Sequence, residues 1–167
     1  MPSSNKILSP LKLEDFQVLK SEYNFIPPKE EVNLNRQELF EQYEIDIDYS
    51  IQEGNDNFIL IFMKCGVNFN QDKPKIGYEL FTEIVNVYDI SKLQKNINND
   101  NIKKIVIFSG LGIAINNIRN YLYNITNQGP FKEYLLPAID VQSIIEIKNQ
   151  KANKVKKPQE RKTKKKS

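Results

Sequence analysis

The chain contains no histidine. That absence removes the commonest general base and the commonest metal ligand, and it makes Ser–His and Cys–His nucleophile pairs impossible. A single cysteine, Cys65, excludes an internal disulfide and a zinc site built on cysteines. No stretch approaches the roughly 18–20 unbroken apolar residues of a membrane-spanning helix. The opening residues, MPSSNKILSPLKLEDF, hold no apolar run of the kind a secretory signal carries, so a cytoplasmic protein is expected. Chemistry by carboxylates or lysine alone stays open, but no spacing of carboxylates points to a concave catalytic cluster. The expectation is a protein that is not an enzyme and uses no cofactor and no metal.

What is present suits one domain: 167 residues, 40% of them apolar. The net charge of +3 conceals a split. From Lys148 to Ser167 there are ten Lys/Arg and one Glu, a net +9, which leaves −6 for the rest of the chain. An acidic body with a basic tail is a statement about partners rather than about fold. The tail has no interleaved aromatics, so it lacks the stacking groups of a sequence-reading nucleic-acid binder; anionic lipid, RNA or an acidic client region are its candidate contacts, with a solubilising disordered tail as the competing reading.

Residues 1–11 are polar and expected to be flexible, residues 12–150 form the domain, and residues 151–167 are expected to be disordered. In residues 13–26, Phe16 and Val18 alternate, and Tyr23 and Phe25 alternate one residue out of step. That is a strand with a bulge near Leu19–Ser21. Residues 27–40 open with two prolines and read as a long crossing loop. In residues 43–53, Tyr43, Ile45, Ile47, Tyr49 and Ile51 alternate with Glu44, Asp46, Asp48, Ser50 and Gln52. This is the pattern of a strand with one buried and one wet face. Two further strands are expected over 58–69 and 75–90.

After a polar connection at 91–104, the period changes: Leu111, Ile115, Ile118, Leu122 and Ile125 form a helical seam. Ser109, Gly110, Gly112 and Ala114 would let another backbone approach closely near its start. Gly129 stands at the C-terminal cap with Pro130 behind it, and Asp140 opens a second helix to about residue 150. Strands first and helices after indicate an α+β fold: a four-stranded antiparallel sheet with a long crossing loop after its first strand, followed by two C-terminal helices.

The stretch NNIRNYLYNITNQGPFKEYLLPAIDVQSII resembles the SecB family of protein-export chaperones. Arg119, Gly129, Phe131, Leu136, Pro137, Ile139, Asp140 and Ile144 stand where that family carries comparable residues, and FQVLKSEYNF is similar to its first strand. The chain departs from the family in the order Pro137-Ala138, in Lys132 after the phenylalanine, and in its basic tail, as a divergent member would.

The resemblance implies an ATP-independent holdase, a homo-oligomer assembled as a dimer of dimers. Such a protein would bind unfolded preproteins and deliver them to the motor ATPase SecA for export through the Sec translocase. Two other readings stand beside it: a SecB-like chaperone dedicated to one partner, such as an antitoxin or a phage product, and an oligomeric adaptor that binds RNA through its tail.

The expected client-binding residues are Phe16, Val18, Tyr23, Phe25, Leu39, Phe40, Val141, Ile144 and Ile145, where the crossing loop and second helix flank the sheet. For each, plain core burial is the competing reading. The helix seam Leu111, Ile115, Ile118, Leu122 and Ile125 is the expected oligomer interface, with intrachain core as its alternative. Glu44, Asp46, Asp48, Glu79 and Glu83 resemble the acidic surface by which the family meets SecA.

Overall fold

The computed structural model describes residues 11–29, 35–55, 57–94 and 98–156. Four strands, β1 (Lys12–Ile26), β2 (Ile45–Glu53), β3 (Phe58–Val67) and β4 (Gly77–Asp89), form one antiparallel sheet in the order β1-β4-β3-β2. The helices α1 (Arg36–Glu41), α2 (Ser91–Gln94), α3 (Asn99–Ile105), α4 (Leu111–Thr126) and α5 (Val141–Lys156) lie outside it. The fold is the α+β arrangement that the sequence implies.

The alternation in the strands decides which face is covered. Ile61, Met63, Cys65 and Val67 of β3 and Tyr78, Leu80, Ile84 and Tyr88 of β4 are fully buried, and α4 packs over both strands. The bulge in β1 falls between Val18 and Lys20, as the phase change indicates. A second irregularity between Leu13 and Asp15 leaves no comparable mark in the sequence.

Several boundaries differ from the reading of the sequence. The crossing segment contains α1, capped by Asn35, whose side chain accepts from the Gln37 N–H. Its buried Leu39 supplies the apolar contact that so short a helix requires. The polar connection holds α2 and α3, and α3 runs through a π-helical turn, Val106–Gly110, directly into α4. Leu11 is buried rather than part of a loose terminus, and α5 continues to Lys156, into the segment expected to be disordered. The remaining tail, 157–167, lies outside the described residues, as do residues 1–10.

Of the small residues near the start of α4, Gly110 serves a contact within the chain. A Cβ on Gly110 would lie 2.6 Å from Ile61 Cδ1, and the Tyr88 hydroxyl donates to the Gly110 carbonyl at 2.9 Å. Gly112 faces open space.

Cys65 is completely buried beneath the helices, and burial pushes its thiol up to about 12. A thiol of that kind is inert. In the native protein at pH 8, Ellman's reagent is expected to label Cys65 at a rate set by unfolding, with full labelling only in denaturant. Rapid labelling without denaturant would contradict this packing.

Candidate functional site

Four aromatic side chains from distant parts of the chain converge on Tyr78. Phe25 from β1, Phe40 from α1, Phe131 from the segment after α4 and Tyr23 from β1 all lie with ring centroids 5.7–6.3 Å from it. The Tyr78 hydroxyl accepts from the Phe131 N–H at 3.0 Å and donates to the Lys132 carbonyl at 2.7 Å.

Gly129 fits this cluster by size. A Cβ there would lie 2.5 Å from the Tyr78 hydroxyl and 2.7 Å from that of Tyr23. It is not the helix cap: α4 ends at Thr126, and Asn127 caps it in ordinary helical geometry. Thr126 then ties the helix end to the chain beyond, because its hydroxyl accepts from the Tyr134 N–H at 2.8 Å.

Arg119 of α4 fixes the next few residues. Its Nε donates to the Leu136 carbonyl at 2.9 Å and its Nη2 to the Pro137 carbonyl at 3.0 Å. These two carbonyls belong to no regular element, so a cation that reaches both replaces the ladder they lack. Asp140 opens α5 as expected: its carboxylate accepts from Ser143 Oγ and the Gln142 N–H, which hold it below the usual carboxylate range.

Held in this way, the segment forms one wall of a groove of about 460 Å³. α1 contributes Arg36, Gln37, Phe40 and Glu41, α4 contributes Tyr123, and the segment contributes Glu133, Tyr134, Leu135 and Pro137. Leu135 is 62% exposed and Tyr123 39%, so the groove presents apolar surface to solvent. Arg36 closes one end by donating to the Phe131 carbonyl at 3.3 Å, with Glu133 4.0 Å away.

A narrower groove of about 200 Å³ lies between β2 and α5, lined by Ile45, Ile47, Ile139, Ile144 and Ile147 with Asp46, Asp48, Lys148 and Lys151 at its rim. Lys148 closes over this side of the sheet. Its Nζ bonds Asp48 Oδ1 at 2.7 Å and the Tyr49 carbonyl, and lies 4.7 Å from the Tyr49 ring centre. Partial burial acts to raise the Asp48 carboxyl, but its bonds to Lys148 and the Tyr49 N–H and the charges of Lys148 and Lys151 hold it low.

Of the nine expected client-binding residues, Leu39 is buried. Phe16, Val18, Phe25, Phe40, Val141, Ile144 and Ile145 are half-buried against the core, and Tyr23 is exposed. Phe40 reaches the larger groove and Ile144 the smaller one. Tyr123, Leu135 and Pro137 are not among those nine: Tyr123 lies on α4 off the apolar seam, and Leu135 and Pro137 lie in a segment after the helix that has no periodicity.

The seam assigned to an oligomer interface is packed within this chain. Leu111, Ile115, Ile118 and Leu122 are buried in its own core, and Ile125 packs against it. The helix leaves other residues outside: Phe108 is 52% exposed, Tyr123 is exposed and Tyr121 is half-buried, whereas Ile113 packs against the core.

Asp46, Asp48, Glu79 and Glu83 do share the open face of the sheet, while Glu44 precedes β2. The row is not uniformly acidic. Lys64 lies opposite Asp48 and pairs with Glu83 at 3.6 Å, Lys20 lies opposite Glu83, and Lys148 holds Asp48. The expected lipid or RNA contact on the tail past Lys156 falls outside the described residues. Among the described residues, no helix is long and apolar enough to cross a membrane.

No protein-family model matches this chain, and no curated protein matches it. A solved structure does. The chain is similar to the Mycobacterium tuberculosis Rv1957 SecB-like chaperone, in complex with a ChAD peptide from the Rv1956 HigA1 antitoxin. The TM-score is 0.55 at 14% identity, over 78% of this chain and 91% of that one. The architecture is therefore SecB-like.

Proposed function

We propose that this protein is an ATP-independent chaperone that holds an extended apolar segment of another polypeptide in the groove between α1, Tyr123 and Leu135. The observation that carries this reading is the groove itself: a wall of irregular chain, held by Arg119 and Tyr78, that leaves Leu135 and Tyr123 in solvent. Exposed apolar surface on a rigid support is what a holdase uses.

Between the two SecB-like roles, a dedicated partner is favoured. The similar Rv1957 structure holds a peptide from an antitoxin. The acidic row that would meet SecA is interrupted by Lys64 and occupied by Lys148. Association of copies would use the outer side of the long helix, Phe108 and Tyr121, rather than the Leu111–Ile125 seam.

The test is suppression of aggregation of a chemically unfolded reporter protein, followed by light scattering without ATP, together with binding to an array of short peptides. Wild type is expected to bind peptides rich in apolar residues. Leu135→Asp combined with Tyr123→Asp is expected to lose at least tenfold in affinity with an unchanged circular dichroism spectrum. A wild-type protein that neither suppresses scattering nor binds any peptide would overturn the reading.

A further inference from the structure

α1 is a wall with a groove on each side. Its positions 36, 37, 40 and 41 line the groove that holds Leu135 and Tyr123, and positions 35, 38, 39 and 42, on its opposite side, line a second groove of about 470 Å³. The far wall of that second groove is the connection between β3 and β4, which contributes Lys73, Pro74, Lys75 and Ile76. The two grooves differ in character. The first presents Phe40, Tyr123 and Leu135, whereas the second carries Lys73 and Lys75. Both lysines are exposed, and neither has a hydrogen-bonding or ion-pairing partner for its ammonium among the described residues.

These lysines stand on a braced backbone. Asn68 is 1% exposed and holds the connection from inside: its side chain accepts from the Lys75 N–H at 2.7 Å and donates to the Lys75 and Tyr78 carbonyls, each at 2.9 Å. The Tyr43 hydroxyl takes the next carbonyl, that of Ile76, at 2.9 Å. Glu38, the acid among the described lining residues, pairs with neither lysine; its carboxylate accepts from the Asn35 side chain at 2.8 Å. Two unpaired cations on a fixed backbone beside a groove complement an acidic ligand.

We propose that this second groove is a further subsite of the chaperone, and that Lys73 and Lys75 take acidic side chains of the same polypeptide whose apolar segment fills the first groove. The occupant rests on the chaperone reading; the charge it must carry does not. α1 sets the register between the two subsites. Crossing a helix about 10 Å wide takes roughly three to four residues of extended chain, so the carboxylates lie about four residues from the apolar segment. An exposed ion pair contributes little by itself, so the lysines discriminate among apolar segments rather than capture a chain alone. Two features read at a fixed spacing suit a chaperone with one partner better than one that holds many.

The test uses labelled synthetic peptides, titrated into the full-length protein at fixed salt and followed by fluorescence anisotropy. Each peptide carries one apolar stretch, a spacer of neutral residues and a run of either aspartates or asparagines, built in both chain directions. With a spacer of about four residues, the aspartate peptide of one direction is expected to bind roughly three- to tenfold more tightly than its asparagine twin, the factor carried by two exposed ion pairs. The advantage should shrink as salt is added and vanish when the spacer is removed. Lys73→Gln combined with Lys75→Gln is expected to bind the twins alike. Lys73→Glu combined with Lys75→Glu should instead prefer a peptide whose aspartates are replaced by lysines. Both pairs of substitutions lie on exposed side chains, and matching urea midpoints would confirm that the variants fold. Equal affinity of the twins for wild type would overturn the subsite and leave the chaperone reading standing. So would a preference that survives Lys73→Gln with Lys75→Gln, or one indifferent to the spacer. If no peptide binds, the chaperone reading fails and the subsite falls with it.

Discussion

Gly77→Ala is expected to destabilise the protein by about 3–5 kcal/mol. Gly77 opens β4 with φ at +101°, a conformation that a side chain strains. A Cβ would also stand 2.1 Å from the Tyr43 hydroxyl and 3.0 Å from the Phe131 ring. That hydroxyl is not free to move: it donates to the Ile76 carbonyl at 2.9 Å and accepts from the Tyr78 N–H at 2.8 Å. Backbone strain costs about 1–3 kcal/mol and overpacking a similar amount. Urea unfolding followed by circular dichroism measures the sum. In a Tyr43→Phe background the hydroxyl is gone, and Gly77→Ala should cost less there. An equal cost in both backgrounds would remove the hydroxyl clash from the account and leave φ and the Phe131 contact to carry the effect.

The second large effect is a contrast between two buried tyrosines. Tyr78→Phe leaves the Phe131 N–H and the Lys132 carbonyl without their partner, and each orphaned group costs about 1–3 kcal/mol. A loss of about 2–3 kcal/mol is expected. It should be concentrated in residues 129–135, where hydrogen exchange would report faster opening, and peptide affinity should fall with it because this segment walls the groove. Tyr134→Phe should act the other way. The Tyr134 hydroxyl is buried without a hydrogen-bond partner among the described residues, and burial pushes its pKa well above the ordinary tyrosine value. Its removal deletes an uncompensated desolvation cost, so the variant is expected to match or exceed wild type in stability. Two variants that destabilise alike would mean that the Tyr134 hydroxyl has a partner in solution.

The sheet was legible because its physics is local. Alternation in residues 45–51 and the phase slip before Lys20 follow from which side chains face the core, and the covered face lies where those patterns put it. The continuous helix was not legible before Leu111. Asn98 to Lys104 are polar, and only Ile102 faces inward across that turn and a half. Its helicity comes from the Asn98 cap and from Ile102 packing, neither of which gives a period in so short a span. α1 was hidden for the same reason.

The site divides along similar lines. A pattern can place Leu111, Ile115, Ile118 and Leu122 on one stripe but cannot say whether the stripe meets its own sheet or a second copy; the packing does. Leu135 and Tyr123 become neighbours only because Arg119, Tyr78 and Thr126 fold an irregular segment back on α4. Of the expected acidic row, Asp46, Asp48, Glu79 and Glu83 share one face and Glu44 lies before β2, and the row's charge is offset by cations. The cations that offset it come from β1, β3 and α5, too far along the chain for a strand pattern to include.

The π-helical turn has a consequence for how this fold can vary. The large apolar side chains buried along the long helix are Ile102, Val106, Leu111, Ile115, Ile118 and Leu122; the step from Val106 to Leu111 is five residues, with only the side-chain-less Gly110 buried between them, where the others are three or four. The turn works as a vernier. It absorbs one surplus residue, so that the stretch before it and the stretch after it both point inward although no single helical phase would allow it. A lineage that lost the surplus residue would close the turn into ordinary α-helix with both stretches still facing inward, while a further insertion would rotate Asn99–Ile105 by about 100° about the helix axis and leave α4 seated on the sheet. The surface beside Phe108 can therefore be redrawn without touching the groove at the other end of the same helix.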